Sequence, residues 1–305
     1  MSFGNTFDAR REGERVYSLT PGLQQIGELV PGQPYVVHTM DSSGDQITED
    51  TPFEEIDRAK MFPVVGPLHI QGVRAGDAVG VEVRQLTVAP VALTWTRPGL
   101  GFGRDIPYHV RSLPTDQMVV DWGSTSDPFR VPSIPHVGTV GLLPSYEEQP
   151  RSLGDHGGNI DSKSLAVGAT IWLRAQVDGG GLFLGDVHAG MGDAEVCGTG
   201  AETAAEIEIV VHHRTDWSPS LPTIVRKDSH VSVIGVGDSF DSALAVGLDH
   251  CVDSLVQECG YSEPDAYLAA GMLLNVQICQ VVNPRTSVEV SLAGGADRHL
   301  LRRPR

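Results

Sequence analysis

The sequence predicts a mainly β protein, sandwich- or barrel-like, with a small α+β portion that carries a C-terminal helical pair. Three observations predict it. Glycine (35) and proline (20) are both abundant in the 305 residues, which implies many turns and therefore many short strands. Runs of alternating apolar and polar residues recur through the first two thirds of the chain. Helical spacing is confined to the last quarter.

The first strand signal is Pro34–Thr39 (PYVVHT), followed by a polar loop at Asp41–Asp45 (DSSGD). In Val73–Val83 a Gly-Asp turn precedes an alternating run, with Val79, Val81 and Val83 on one face and Glu82 and Arg84 on the other. Residues 96–159 are rich in Pro and Gly but carry too many aromatic and aliphatic residues for disorder, so they read as ordered loops over a sheet. Ala169 to Val177 alternates, Asp178–Gly181 (DGGG) supplies a turn, and Leu182–His188 returns, which predicts a hairpin. Glu206–His212 is a further strand.

Phe240, Leu244, Leu248, Cys251, Leu255 and Cys259 then recur at helical spacing, with Gly260 at the stop. Ser262-Glu263-Pro264-Asp265 resembles a capping box and opens a second helix, whose stripe Leu268, Met272, Leu273 and Val276 reads as core. Two short strands around Asn283-Pro284 close the chain. The whole, residues 1–305, reads as one unit: a β-rich part with long loops (1–165), then a hairpin with the site motif and an α+β part (166–305).

Composition narrows the function classes. A formal net charge of −17 disfavours nucleic acid and anionic membranes as partners, but leaves a small neutral substrate unaffected. The four cysteines, Cys197, Cys251, Cys259 and Cys279, form no CxxC pair. Eight residues on a helix separate Cys251 from Cys259 by about 12 Å, too far for a disulfide. Free thiols in a reducing cytoplasm are the simplest reading. No apolar leader is visible near Met1 and no apolar run is long enough to span a bilayer. Neither GxGxxG after a strand, nor a P-loop, nor GxSxG, nor HExxH occurs.

Chemistry concentrates in Gly185–Glu202, GDVHAGMGDAEVCGTGAE. On a strand, Asp186 and His188 project from one face, beside Leu182 and Leu184. The pair suits a divalent metal, and equally a hydrogen-bonded Asp–His pair without one. Glu195 is a candidate general acid/base if its surroundings raise its pKa. Cys197 is either a nucleophile or a small buried filler. Two further clusters, His38–Asp45 and Asp155–Asp161, hold similar residue types around glycines, as expected of loops converging on one pocket. His136, in IPHVGTVGLLPS, reads as a structural histidine.

These segments together resemble the acetamidase/formamidase family. HGGNID at His156–Asp161, the GDVHAGMGDAEVCGTGAE block, IPHVGTVGLLPS and HTMDSSGDQI each match a family segment, and the paired helices with ICQVVNP fit as well. The resemblance implies hydrolysis of short aliphatic amides to a carboxylate and ammonia, a β-rich fold, a frequent homodimer and a divalent metal in some members. Matching positions are Asp41, His136, His156, Asn159, Asp161, Asp186, His188, Asp193, Glu195 and Cys197. Met191 and Ala194 depart from the family's Gln and Gly, and the segment with Trp122 and Phe129, a candidate lid, matches poorly.

The resulting expectation is a metal-assisted amidase acting on a small neutral amide. Asp41, Asp186, His188 and Asp161 would bind the metal, zinc with calcium as the alternative; His156 is both a candidate further ligand and a candidate catalytic residue. Glu195 would move the proton, and the backbone near Gly157-Gly158 would serve the oxyanion. The competing readings are a thioester on Cys197 and a non-catalytic small-molecule-binding protein.

Overall fold

The computed structural model describes residues 5–116, 119–121 and 130–301. Trp122 and Phe129, the candidate lid, lie outside the described residues. The chain folds mostly into strands, 39% of it, arranged in two sheets with two helices near the C-terminal end.

The nine-stranded sheet runs in the spatial order 6–8, 34–39, 205–214, 78–88, 170–174, 223–225, 231–237, 286–292 and 274–280. In the twelve-stranded sheet, Leu182–His188 lies between His136–Leu142 on one side and Val64–Ile70 and Glu202–Thr203 on the other. The two sheets face each other across one core. Val37, Val81, Ile171 and Ile207 from the first meet Leu68, Val140, Leu182 and Leu184 from the second. Alternation works as expected at Val79, Val81 and Val83, which are buried while Arg84 is exposed.

The expected hairpin at 169–188 does not form. Both strands exist, but Thr170–Arg174 pairs with residues 78–82 and 223–225 in one sheet, whereas Leu182–His188 belongs to the other. The DGGG turn therefore crosses between layers. Its three glycines all have positive φ, which suits a tight change of direction as well as a two-residue hairpin would. The strand that does turn back on 182–188 is Glu202–Thr203, in antiparallel register with His188 opposite Glu202.

The first helix, α1 (Phe240–Cys259), is capped by Ser239 and ends on a left-handed Gly260, as its sequence requires. It packs on strands 231–237 and 286–292 through Ala243, Gly247, Cys251 and Leu255. The second, α2 (Glu263–Leu273), starts at Ser262 with Pro264 in its first turn. Most of its apolar stripe is not core: Leu273 packs half-buried against the core beside buried Ala266 and Ala270, but Leu268 is 67% and Met272 81% exposed. Small alanines one turn apart let α2 lie close to its support, so the large side chains face outwards. The helix also stops at Leu273, and Val276 belongs to the edge strand Leu274–Gln280. The four cysteines are free thiols. Among the described residues, no helix is long and apolar enough to cross a membrane.

Candidate active site

The site grows from an interruption in a strand pair. His136–Leu142 and Leu182–His188 pair antiparallel, with His136 opposite His188 and Thr139 opposite Gly185. That register sets Gly138 opposite Asp186, where the ladder breaks. Asp186 has φ 55°, a left-handed conformation rare for a non-glycine residue inside a strand. The carbonyl of Gly138 instead accepts from the backbone N–H groups of Ile160 (3.0 Å) and Asp161 (3.1 Å). The break shifts the side-chain parity of both strands. Leu182 and Leu184 enter the main core before it and Val187 after it, with Val137 and Val140 doing the same on the partner strand. Asp186 and His188 therefore converge, as spacing suggested, but are offset from Leu182 and Leu184.

Asp161 is drawn in by the same interruption and also has positive φ (55°). Its Oδ2 accepts from Asn283 Nδ2 at 3.1 Å. The following residue is anchored too: the hydroxyls of Ser162, Ser164 and Ser232 donate to buried Glu289. Glu195 sits in the loop 189–201, where Ala194 (φ 72°) and Glu195 (φ 49°) are consecutive left-handed residues. Hydrogen bonds from Ala194 N to Ile278 O and from Val281 N to Ala194 O hold this kink against the strand 274–280.

Five buried titratable side chains thus meet: Asp161, Asp186, His188, Glu195 and Glu202. His188 Nε2 lies 3.0 Å from Glu202 Oε1 and 3.7 Å from Glu195 Oε1. Gly200 N donates to the same Glu202 oxygen at 2.8 Å. The His188 ring stacks on His136, with centroids 5.0 Å apart. Burial and the neighbouring negative charges of Glu195 and Asp186 push the Asp161 carboxyl well above its usual range. Burial and Glu202 do the same to Asp186. Burial raises Glu195, although its hydrogen bond with His188 opposes this. Burial works against the charged His188, but Glu202, Glu195 and Asp186 outweigh it and hold the imidazole well above its ordinary value. Glu202 is held low because His188, with hydrogen bonds from Ser42 and Asp186, outweighs its burial. Burial, and then the charge of His188, keeps His136 neutral with a pKa of about 3.

Four carboxylates around one imidazole leave a surplus of buried negative charge, which a divalent cation would offset. Two sets of donors qualify by geometry: Asp161, Asp186 and His188, and His188, Glu195 and Glu202, each with one donor atom per residue lying within 4.8 Å of the others. Asp161 Oδ1, His188 Nδ1 and Glu202 Oε2 are buried without a hydrogen-bond partner. Orphaned buried donors and acceptors are costly and point to a missing ligand. The residues fit a divalent metal.

The other expected participants are placed elsewhere. Asp41 Oδ1 accepts from Ser43 N (2.8 Å), Ser43 Oγ (2.6 Å) and Asp45 N (2.9 Å), so Asp41 builds the loop that presents Ser42 to Glu202 and stands outside both donor sets. His156 is also outside them. It is packed between Tyr146 and Phe183, with Nδ1 3.4 Å from the Tyr146 hydroxyl. Gly157 and Gly158 are strand residues paired with Gly141 and Val140 and are not among the residues that line the cavity described below. Cys197 Sγ is 3.1 Å from Thr199 O, and among the described residues no histidine or carboxylate is hydrogen-bonded to it. Asp193 ion-pairs with Lys163 at 2.8 Å on the surface. Glu202, quoted in the motif but assigned no role, is the residue sequence reasoning missed. Its cross-strand position opposite His188 becomes visible only once the true strand pairing is known.

Asp186, Glu195 and Glu202 form the acidic end of a cavity of about 370 Å³. Ser42, Asn159 and Asn283 line it nearby, and Phe53, Trp95 and Tyr108 line it further along. The Thr139 hydroxyl is hydrogen-bonded to Asn159 Oδ1 and lies 3.2 Å from Asp186 Oδ2, fixing both.

Comparison with known proteins places these features. The model of the acetamidase/formamidase family matches residues 12–153 and 148–292. A formamidase of Methylophilus methylotrophus is 25% identical over 252 residues, covering 63% of this chain and 62% of that protein. The chain thus spans about three fifths of the length of that curated relative. The crystal structure of an acetamidase of Bacillus halodurans superposes with a TM-score of 0.87 at 26% identity, covering 93% of this chain and 96% of that one. An acetamidase of Yersinia enterocolitica gives 0.86 at 25% identity, with 98% and 93% covered.

Proposed function

This chain belongs to the acetamidase/formamidase family, and from that premise we propose that it hydrolyses the C–N bond of linear amides, with help from a divalent metal, to give a carboxylate and ammonia. The observation that carries the reading is Glu195: a buried carboxylate in strained backbone, 3.7 Å from His188, at the acidic end of a cavity.

Asp161, Asp186 and His188 would hold the cation, with Glu202 fixing the His188 ring from its other side. When bound, such a cation supplies Lewis acidity, polarising an amide carbonyl and lowering the pKa of water towards about 7. An imidazole among the donors favours zinc over calcium, which prefers oxygen throughout. Glu195 accepts a proton from the attacking water and returns it to the departing nitrogen; burial raises its pKa, which helps it hold that proton between the two steps. Asn159, fixed by Thr139, offers an amide group towards the substrate carbonyl. The buried surroundings keep bulk water from competing. Cys197 is assigned a packing role, because among the described residues no base is hydrogen-bonded to it.

The four free thiols support a cytoplasmic setting. The outward-facing Leu268 and Met272 support a homodimer. The test is ammonia release from formamide and acetamide by metal-supplemented protein. Release that a chelator abolishes is the expected result. No release from either amide with metal present would favour a non-catalytic binding protein.

A further inference from the structure

The cavity also carries positive charge that no carboxylate among the described residues pairs with. Arg58, Arg97 and Arg151 all line it. Carboxylates outnumber basic residues 39 to 22 in the sequence. Arg10, Arg74, Arg84, Arg214, Arg226 and Arg285 each find a carboxylate. Among the described residues, Arg58, Arg97 and Arg151 find none. Arg58 instead lies over the Phe53 ring at 5.3 Å, and Arg151 over Phe62 at 5.9 Å. Stacking of this kind orients a guanidinium while leaving its N–H edge free for a ligand. Arg97 is half-buried and hydrogen-bonded at Nη1 to Pro98 O (3.3 Å). Burial, and then the like charges of Arg58 and Arg151, lower its pKa, as expected of cations gathered without a counter-ion.

The cavity is therefore lined by both acidic and basic side chains, with Trp95, Tyr108 and Phe53 among its walls. Its volume of about 370 Å³ also exceeds what a minimal amide needs. At about 30 Å³ per water it has room for roughly twelve water-sized bodies, so acetamide would leave most of it empty.

We infer that the substrate is a primary amide bearing an anionic group, a carboxylate, separated from the amide by an apolar segment. This rests on the amidase reading and specifies its substrate class. Orientation follows from charge. The carboxylate is drawn to the three uncompensated arginines, which leaves the neutral amide for the cluster around Glu195. The reaction balances as amide plus water giving carboxylate plus ammonium: the C–N bond breaks, a C–O bond to the water oxygen forms, and the water's hydrogens leave with nitrogen. The product is a dicarboxylate, whose new charge beside the acidic end favours release.

The test is ammonia release from a series of monoamides of dicarboxylic acids, from succinamate to adipamate, and from 4-(carbamoylmethyl)benzoate. Each is compared with its neutral methyl-terminated counterpart, in the wild type and in Arg97→Gln and Arg58→Gln/Arg151→Gln. Expected is at least one carboxylate substrate with kcat/KM tenfold or more above its counterpart. That ratio should fall at least tenfold in the variants; the double variant changes only exposed residues and guards against a folding defect in Arg97→Gln. Equal kcat/KM across every pair, or a ratio the variants leave unchanged, overturns the inference while leaving the amidase reading intact. If no amide releases ammonia, the amidase reading fails. Calorimetric titration with the non-hydrolysable ketone 4-(2-oxopropyl)benzoate then decides the anion site alone: binding weakened tenfold or more in the double variant supports it, and equal binding refutes it.

Discussion

Gly138 lies so close to Asp161 that a methyl group on it would sit 2.7 Å from Asp161 Oδ1. The same methyl would be 2.6 Å from the Asp186 carbonyl oxygen and 2.7 Å from His188 Cε1. Most of these neighbours are fixed by backbone or by packing and cannot retreat cheaply. Gly138→Ala is therefore expected to cut amide turnover by about a hundredfold, as misplacement of the acid cluster by even an ångström would. Circular dichroism should show the β signal retained. Full activity in Gly138→Ala would mean that the cluster tolerates a displaced Asp161.

Removal of the cation is the second expectation. Elemental analysis should find about one divalent ion per chain in protein purified without chelator. Asp186→Asn and His188→Gln should lose it. Protein stripped by chelation should melt at a lower temperature, since a ligand at a thousand times its Kd adds about 4 kcal/mol. An unchanged melting curve after stripping, with elemental analysis showing no metal before it, would remove the ion from the proposed mechanism.

Glu195 and Cys197 separate the two proton-and-nucleophile schemes. Glu195→Gln should lose about a hundredfold to ten-thousandfold in kcat with KM little changed. Cys197→Ser should keep most of its activity, because among the described residues its sulphur is hydrogen-bonded to Thr199 alone. The reverse pattern in steady-state assays would restore the thioester.

His156 gives a pH prediction. Burial in the main, with Arg285 adding to it, depresses its pKa to about 4 from 6.5. The folded state therefore refuses a proton that the unfolded chain accepts. Stability from this group is complete above pH 6.5 and is lost as pH falls towards about 4, at a total of about 3 kcal/mol. Denaturant melts at pH 4.5 and pH 7 should differ less in His156→Gln than in the wild type. Equal differences would show that His156 does not carry the effect.

The outward face of α2 is the last. Leu268→Glu/Met272→Glu should convert a dimer to a monomer in light scattering with little change in melting temperature, as both side chains are largely exposed. A wild type that is already monomeric would withdraw the dimer.

Much of this was legible in the sequence. Period-two runs found the strands at 34–39, 78–88 and 205–214, and the Ser239 and Gly260 neighbourhood bounded α1. Spacing and residue type singled out Asp186, His188 and Glu195, and the resemblance added Asp161. Pairing was not legible. A glycine-rich turn between two alternating runs looks the same whether it closes a hairpin or passes between sheets, because the partner strands lie far off in sequence. That ambiguity hid Glu202 behind its own motif. The placement of Asp41 and His156 outside the two donor sets was equally hidden, since Asp, His and Gly in a loop read alike whether they bind a ligand or hold the loop. The exposed stripe on α2 failed for a different reason: periodicity reports an apolar face but not what covers it.

The crossing at Asp178–Gly181 also fixes what any piece of this protein can do. A fragment of residues 166–305 would carry Asp186, His188, Glu195 and Glu202 in one continuous stretch. It would lack Asp161, and the strand 136–142 whose gap at Gly138 admits it. Its site strand would have lost its neighbours at 64–70 and 136–142 and kept only the two-residue pairing at 202–203. The acidic residues would then face water, with ordinary acidities and no reason to gather. The centre thus depends on contacts between strands far apart in the chain, and a fragment that begins at residue 166 is expected to lack it.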